Sequence, residues 1–415
     1  MKTIFSAAIM AAANASNVHQ FFAESNFACG VCQQAVTHAN NQNHQELSQL
    51  YQLFPVLEEK ISSFSGAQEL IDLSKPEVTC QNLKLCARES VAEMLLAEMP
   101  ADLEKHIEYV NNNPKATWTA RANDKFTGAS RKEIRSLMGT VVDPQWTIKG
   151  HQKTYNTANV TFPENFDART AWPECEPVIN FVRDQANCGS CWAHGTTEAL
   201  NDRLCIATGG AFQTQLSVAD TTACCNGSAC FSFGCNGGQV ATPWAWFKKT
   251  GVVSGGAFGS GEFCFDYTMP QCAHHVTVPD LAGCDTIQTV APVCKSTCQS
   301  NTAIDYASDK VHGASSYGIS GIDNIKMEIM TYGTVTAAFT VYEDFLTYSS
   351  GVYQHLTGAA EGGHAIKMIG WGTENGLDYW LCVNSWNNTW GDQGTFKILM
   401  GDCGINDQVH AGLAL

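Results

Sequence analysis

Apolar residues follow several different rhythms along this chain, and each rhythm predicts a different element. Ile4 to Ala13 is one apolar stretch behind Lys2, closed by the small residues Ala13-Asn14-Ala15. That layout predicts a signal peptide over residues 1–15, too short to anchor in a bilayer. Within residues 26–92, Leu50, Leu53, Phe54, Leu57 and Ile61 recur at helical spacing and predict amphipathic helices. Asp102 to Ile107 reads as a short capped helix, followed by the polar run Asn111-Asn112-Asn113-Pro114. Over the rest of the stretch to residue 160, apolar positions thin to isolated anchors: Trp118, Phe126, Ile134, Leu137 and Met138. Such a segment cannot build a core and must lie on something else. Trp192 to Leu204 is helix-compatible and follows the turn and cap formers Asn187, Gly189 and Ser190. Towards the C-terminus the rhythm becomes that of strands. Ala365 to Gly370 alternates, and Tyr379 to Val383 is a second apolar strand.

Composition narrows the picture. A chain of 415 residues is long enough for two or three domains. The net charge of −16 excludes a nucleic-acid role and keeps anionic membranes at a distance. Beyond the N-terminus no apolar run nears the ~20 residues needed to span a bilayer, so a soluble protein is expected, and a monomer. Nineteen cysteines point to an oxidising secretory route, ending outside the cell or in an acidic, lysosome-like compartment. Asn159-Val160-Thr161 is a glycosylation acceptor on that route.

The candidate chemistry centres on Arg183 to Gly195, whose core is Cys188-Gly189-Ser190-Cys191-Trp192. Cys191 falls in the first turn of the predicted helix, where free N–H groups and the helix dipole favour a thiolate. A thiolate nucleophile needs a base within hydrogen-bond range and a third group to hold that base. His364 follows Gly362-Gly363 and opens the alternating strand, and Asn384 ends the second apolar strand, just before Ser385-Trp386.

These motifs, with Cys224-Cys225, Cys230 and Cys235-Asn236-Gly237-Gly238, resemble those of the cathepsin B-like cysteine proteases of the papain family. The resemblance covers nearly all of residues 162–415, starting at Phe162-Pro163-Glu164-Asn165. It implies an α+β catalytic fold, a helical half with Cys191 facing a β-barrel-like half with His364 and Asn384. It also implies peptide-bond hydrolysis without a cofactor or metal, on peptide and protein substrates. Cys191 would be the nucleophile, His364 its base and Asn384 the residue orienting that base. A preformed thiolate–imidazolium pair is implied, with the Gln185 amide in the oxyanion hole. Gly237, Gly238, Trp386 and Gln408 would border the substrate. Gln408 stands where the family carries a glutamate, so a preference for apolar over arginine side chains is expected there.

Residues 98–161 resemble the family's propeptide, with Leu137-Met138-Gly139-Thr140 laid through the cleft as inhibitor. Six disulfides are implied by the same resemblance: Cys175–Cys205, Cys188–Cys235, Cys224–Cys294, Cys225–Cys230, Cys264–Cys298 and Cys272–Cys284. Cys191, Cys382 and Cys403 are then left over, the last two as buried thiols. His364 and Asn384 lie farther from Cys191 than in papain-like chains generally, and the insertion at Cys264–Cys298 resembles an occluding loop. Its His274 and His275 would add carboxydipeptidase to endopeptidase action, His274 clipping to Asp184; a metal site is the competing reading of that Cys/His cluster. Cys29, Cys32, Cys80 and Cys86 give residues 26–92 the ends of a saposin-like module. Its central disulfide is missing, which leaves at most a weak lipid contact. His194 stands where the family usually has an aromatic residue, and a packing role is expected for it. The alternative to an enzyme is an inactive, peptide-binding homologue, yet no catalytic residue is lost.

Overall fold

The computed structural model describes residues 80, 99–140, 142, 151–227, 230–271 and 291–414. The expected signal peptide, the 26–92 module apart from Cys80, and Cys272, His274, His275 and Cys284 lie outside the described residues. Cys80 is buried and disulfide-bonded. The chain divides into two units. In the smaller, the described residues include a turn in which Gly227 N–H donates to Ser232 O at 2.9 Å. The larger, residues 97–225 with 234–415, carries the sheet and the candidate site.

Its principal helices are α1 (Glu104–Asn112), α2 (Arg131–Ser136), α3 (Cys191–Ala207), α4 (Val218–Cys224), α5 (Thr242–Lys249) and α6 (Ile322–Tyr332). Its strands are β1 (Trp118–Ala120), β2 (Phe166–Asp167), β3 (Tyr317–Ile319), β4 (Val335–Tyr342), β5 (Tyr348–Tyr353), β6 (Ala360–Glu374), β7 (Leu377–Val383), β8 (Thr395–Leu399) and β9 (Gln408–Ala411). The class is α+β. The expected cap on α1 is absent: Leu103 occupies the cap position and no side chain accepts from the first turn. α2 instead has a full capping box, with Ser130 and Glu133 each accepting from the other's backbone N–H.

The strands form one sheet in the order β1-β5-β8-β7-β6-β4-β9-β3, with β2 also paired to β6. All pairings are antiparallel except β5 with β8. β6 and β7 are joined by Asn375-Gly376, both at positive φ, in a two-residue hairpin with Glu374 opposite Leu377. Asn-Gly is the pair such a turn favours, because both positions need a left-handed backbone. The hairpin returns Asn384 beside the strand that carries His364.

β6 was expected to alternate between core and solvent, but nine consecutive residues, His364 to Gly372 among them, are buried. The reason is that both faces are covered. On one face Ala365 packs with Cys191, Lys367 reaches Asp202, and Ile369 packs with Cys205, all along one stripe of α3. On the other, His364 lies among the rings of Phe339 and Trp386. Four of the implied disulfides are present: Cys175–Cys205, Cys188–Cys235, Cys224–Cys294 and Cys264–Cys298. Cys225 and Cys230 are each disulfide-bonded. Among the described residues, Cys191, Cys382 and Cys403 are free; Cys403 is half-buried rather than buried as expected.

Candidate active site

Cys191 is the first residue of α3, and Ser190 before it makes no side-chain cap. The first-turn N–H groups therefore keep their positive field for the sulfur. The preceding loop is pinned by the Cys188–Cys235 bridge and by Gly189 N–H donating to Cys235 O at 2.9 Å. His364 Nε2 donates to Asn384 Oδ1 at 2.7 Å, so the ring is held by its far nitrogen. His364 Nδ1 is buried and makes no hydrogen bond among the described residues. The Trp386 ring lies 4.6 Å from the imidazole and is fully buried against it. Gln185 is wholly buried; Ser385 Oγ donates to its Oε1 at 2.8 Å, which turns Nε2 towards the cleft side of the loop.

The cleft is filled by residues 137–140. Gln185 Nε2 donates to Leu137 O at 2.9 Å, Gly238 N–H to Gly139 O at 2.8 Å, and Thr140 N–H to Gly363 O at 3.0 Å. Thr140 Oγ1 stands 3.2 Å from Cys191 Sγ. The depth depends on glycine: a Cβ on Gly139 would lie 1.8 Å from Gly189 O, and one on Gly363 would lie 1.9 Å from Thr140 O. Backbone meets backbone here with no room for a side chain.

Burial sets the electrostatics of the covered site. It raises the Cys191 thiol above its ordinary pKa, against the opposing pull of the Thr140 hydroxyl and the N–H groups of Ala365, Gly139 and Trp192. It also pushes His364 down to about 4, although the bond to Asn384 works the other way. The preformed thiolate–imidazolium pair implied by the sequence is therefore not the favoured state of this covered form. Desolvation penalises both charges at once.

The sequence model described as the papain family cysteine protease matches residues 162–413, which is more than half of the chain. The chain belongs to the papain family of cysteine proteases. It is 41% identical over 315 residues to a cathepsin B-like cysteine proteinase of Schistosoma japonicum, covering 75% of this chain and 90% of that protein. A similar match, 41% over 316 residues, covers 74% of this chain and 82% of cathepsin B-like cysteine proteinase 6 of Caenorhabditis elegans. Among solved structures, procathepsin B S9 of Trypanosoma congolense superposes with a TM-score of 0.63 at 28% identity, over 76% of this chain and all of that one. Digestive procathepsin L2 of Tenebrio molitor shares the fold, with a TM-score of 0.56 at 22% identity over 79% of this chain and 95% of that one. This is a cathepsin B-like cysteine protease, and its structural neighbours include proenzymes.

Other residues of this papain-family cleft fall into two groups. Gly237 and Gly238 flank the resident strand, and Gln408 sits on β9 opposite Ala338, which packs against Cys191. His194 is buried with its ring edge-on to Tyr267, and burial pushes it down to about 3, so it is a neutral packing residue. Tyr267 was not expected here. Its hydroxyl donates to Gln185 O at 2.9 Å and lies 2.8 Å from Ser190 Oγ, tying the start of the loop to its end. Lys125 was also missed. It pairs with Asp184 at 3.2 Å, both side chains nearly buried, next to the ring of Phe126 on Trp386. Neither contact has a local signal in the sequence.

Proposed function

We propose that this protease hydrolyses peptide bonds through an acyl-enzyme on Cys191 and is made as a zymogen whose residues 98–161 are its own inhibitor. The observation that supports this best is the peptide strand at residues 137–140. It lies across Gln185, Gly238 and Gly363, its Leu137 and Gly139 carbonyls accepting from the first two and its Thr140 N–H donating to the third, beside Cys191 and the His364–Asn384 pair. In front of the sulfur this strand offers a hydroxyl, which is no electrophile. It therefore occupies the cleft without being cut there.

Once the strand leaves, water and substrate dipoles return to the site, and the proton moves from Cys191 to His364. The thiolate adds to the scissile carbonyl carbon. The developing oxyanion is held by Gln185 Nε2 and the N–H of Cys191. His364 then gives its proton to the leaving amine, and the C–N bond breaks to leave a thioester. Water, deprotonated by His364, attacks that thioester; the acid is released and the sulfur returns. Asn384 keeps the ring aligned through both steps.

We extend the reading to dipeptide release, supported by His274 and His275 of the Cys264–Cys298 insertion, whose imidazolium forms suit a terminal carboxylate. The enzyme would reach an acidic compartment by the secretory route. Among the described residues no helix is long and apolar enough to cross a membrane.

The test is an active-site-directed thiol label with peptide mapping, before and after acid incubation of the full chain. Label on Cys191 alone, appearing with activity and with loss of residues 98–161, is expected. Full activity of the uncut chain at neutral pH, or label on another cysteine, would sink the reading. Matched substrates with free and amidated C-termini test dipeptide release, which should favour the free carboxylate.

A further inference from the structure

A second built pocket lies at the free edge of the sheet. Residues 151–153 run parallel to β3: Gly318 N–H donates to His151 O at 2.8 Å and Lys153 N–H to Gly318 O at 3.0 Å, with Gln152 opposite Gly318. Lys153 then sends its ammonium between β3 and α6. Nζ lies 3.2 Å from Glu328 Oε2 and donates to Tyr317 OH at 3.1 Å. It also stands 3.8 Å from the centre of the Tyr332 ring and 4.5 Å from that of Tyr317. Tyr155 completes the docking, with its N–H donating to Asn324 Oδ1 at 2.9 Å and its hydroxyl to Glu328 Oε2.

The Glu328 carboxylate is wholly buried, and its two oxygens are used differently. Oε1 is held from within the fold, by Arg203 at 2.8 Å and Tyr317 OH at 2.7 Å. Oε2 is held by Lys153 and Tyr155. If residues 98–161 are removed, Oε2 loses both partners while Arg203 stays committed to Oε1. The space their side chains leave opens onto Oε2, and a ligand that returns an ammonium and a hydroxyl to that space restores both donors.

We propose that this pocket is an exosite of the mature protease. It takes an extended segment of a protein substrate that adds to the β3 edge and sets a lysine, with a tyrosine two residues later, against Glu328. The proposal rests on the zymogen reading above. Backbone pairing supplies sequence-tolerant affinity, while the pocket selects the side chain. A carboxylate below two ring faces fits a compact ammonium, which gains both ion pairing and cation–π attraction. A substrate held at both exosite and cleft is presented at raised local concentration, so KM falls and kcat is unchanged.

The test uses protease activated from the full chain. N-terminal sequencing comes first. If residues 151–155 remain on the active enzyme, the pro-segment boundary is wrong and the exosite, still filled in cis, is overturned with it. With the segment gone, the probe is a labelled peptide of residues 150–157, Gly-His-Gln-Lys-Thr-Tyr-Asn-Thr, titrated into enzyme alkylated at Cys191. Saturable binding is expected, weakened at least tenfold in the Lys153→norleucine peptide and severalfold in the Tyr155→Phe peptide. Fusing the same eight residues through a flexible linker to a cleavable reporter should lower KM about fivefold or more at constant kcat. That gain should vanish with excess free peptide and in Tyr332→Ala. Tyr332 is chosen because Glu328 also holds the buried Arg203. Equal binding of the norleucine peptide, or no change in KM on fusion, would overturn the exosite while leaving the zymogen reading intact.

Discussion

Adding one methyl group at Gly139 should unlock the covered cleft. In the Gly139→Ala chain the new Cβ would lie 1.8 Å from Gly189 O, 2.3 Å from its carbonyl carbon and 2.7 Å from its Cα. All three are backbone atoms of a loop pinned by the Cys188–Cys235 bridge, so relief must come from the resident strand. Reaching ordinary van der Waals contact requires the strand to rise by more than ~1 Å, beyond the range over which hydrogen bonds of 2.8–3.0 Å survive. Three bonds are then lost: Gln185 to Leu137, Gly238 to Gly139, and Thr140 to Gly363. At about 1 kcal/mol each, the docked state weakens by ~3 kcal/mol, or about a hundredfold in the open fraction. The assay is alkylation of the uncut chain at neutral pH, read by peptide mapping at early times. Cys191 is fully buried when covered, so its alkylation rate reports the open fraction. The Gly139→Ala rate should exceed wild type by about two orders of magnitude. A rate within threefold of wild type would show that residues 137–140 do not control access to the sulfur.

Three further outcomes follow from the same geometry. His364→Ala should lower kcat/KM of the activated enzyme by ~10³ or more, while His194→Phe should keep it within about threefold; steady-state kinetics on both variants would expose a reversed assignment. The buried His106 and Glu343 meet at 3.3 Å between α1 and the 3-10 helix after β4, and both have lowered pKa values. For His106 burial is the main cause; for Glu343 burial opposes, but the Ala359 N–H, Arg131 and His106 outweigh it. Neutral His106 and ionised Glu343 are thus the docked forms. Docking should be strongest above the ordinary histidine value of 6.5, weaken as His106 takes a proton, and weaken again below 4.5 as Glu343 does. His106→Gln should delete the upper step from a pH profile of Cys191 alkylation, and an unchanged profile would discard this account. Finally, Gln408→Glu should raise cleavage of peptides that place arginine in the second subsite about tenfold or more in a peptide library, because a carboxylate can pair with guanidinium where an amide cannot.

What sequence alone discloses depends on whether the cause is local. Cys191 is readable because turn formers and a helix start sit beside it. His364 and Asn384 are readable because each ends a short motif, and the Asn375-Gly376 turn midway between them is the local signal that they meet. Lys125 at Asp184 and Lys153 at Glu328 are different in kind. They join positions 59 and more than a hundred residues apart, and no propensity marks a lysine as destined for a buried carboxylate. The missing alternation of β6 has the same origin. A strand covered on both faces loses the period that a half-buried strand shows.

Buried charge explains how the two halves of the site stay in register. Helix α3 carries Glu198, Asp202 and Arg203, residues that a helical wheel would assign to solvent, yet all three are buried. Lys367, three residues beyond His364 on β6, sets Nζ 3.0 Å from Asp202 Oδ2 and 2.9 Å from Ile179 O. Apolar side chains in the same volume would stabilise the core about as well, since a buried ion pair recovers little beyond its own desolvation cost. The difference lies in the penalty for error. A slip of β6 by one residue would send Lys367 to the aromatic face beside Phe339 and leave Asp202 without its cation. Removing one partner of such a pair costs ~3–5 kcal/mol, whereas slipping one aliphatic contact for another costs far less. The pair therefore specifies alignment more than it adds stability. Because Cys191 begins the helix and His364 begins the buried run of the strand, that alignment fixes where the sulfur-bearing end of the helix meets the strand, with Cys191 packed on Ala365, the neighbour of His364.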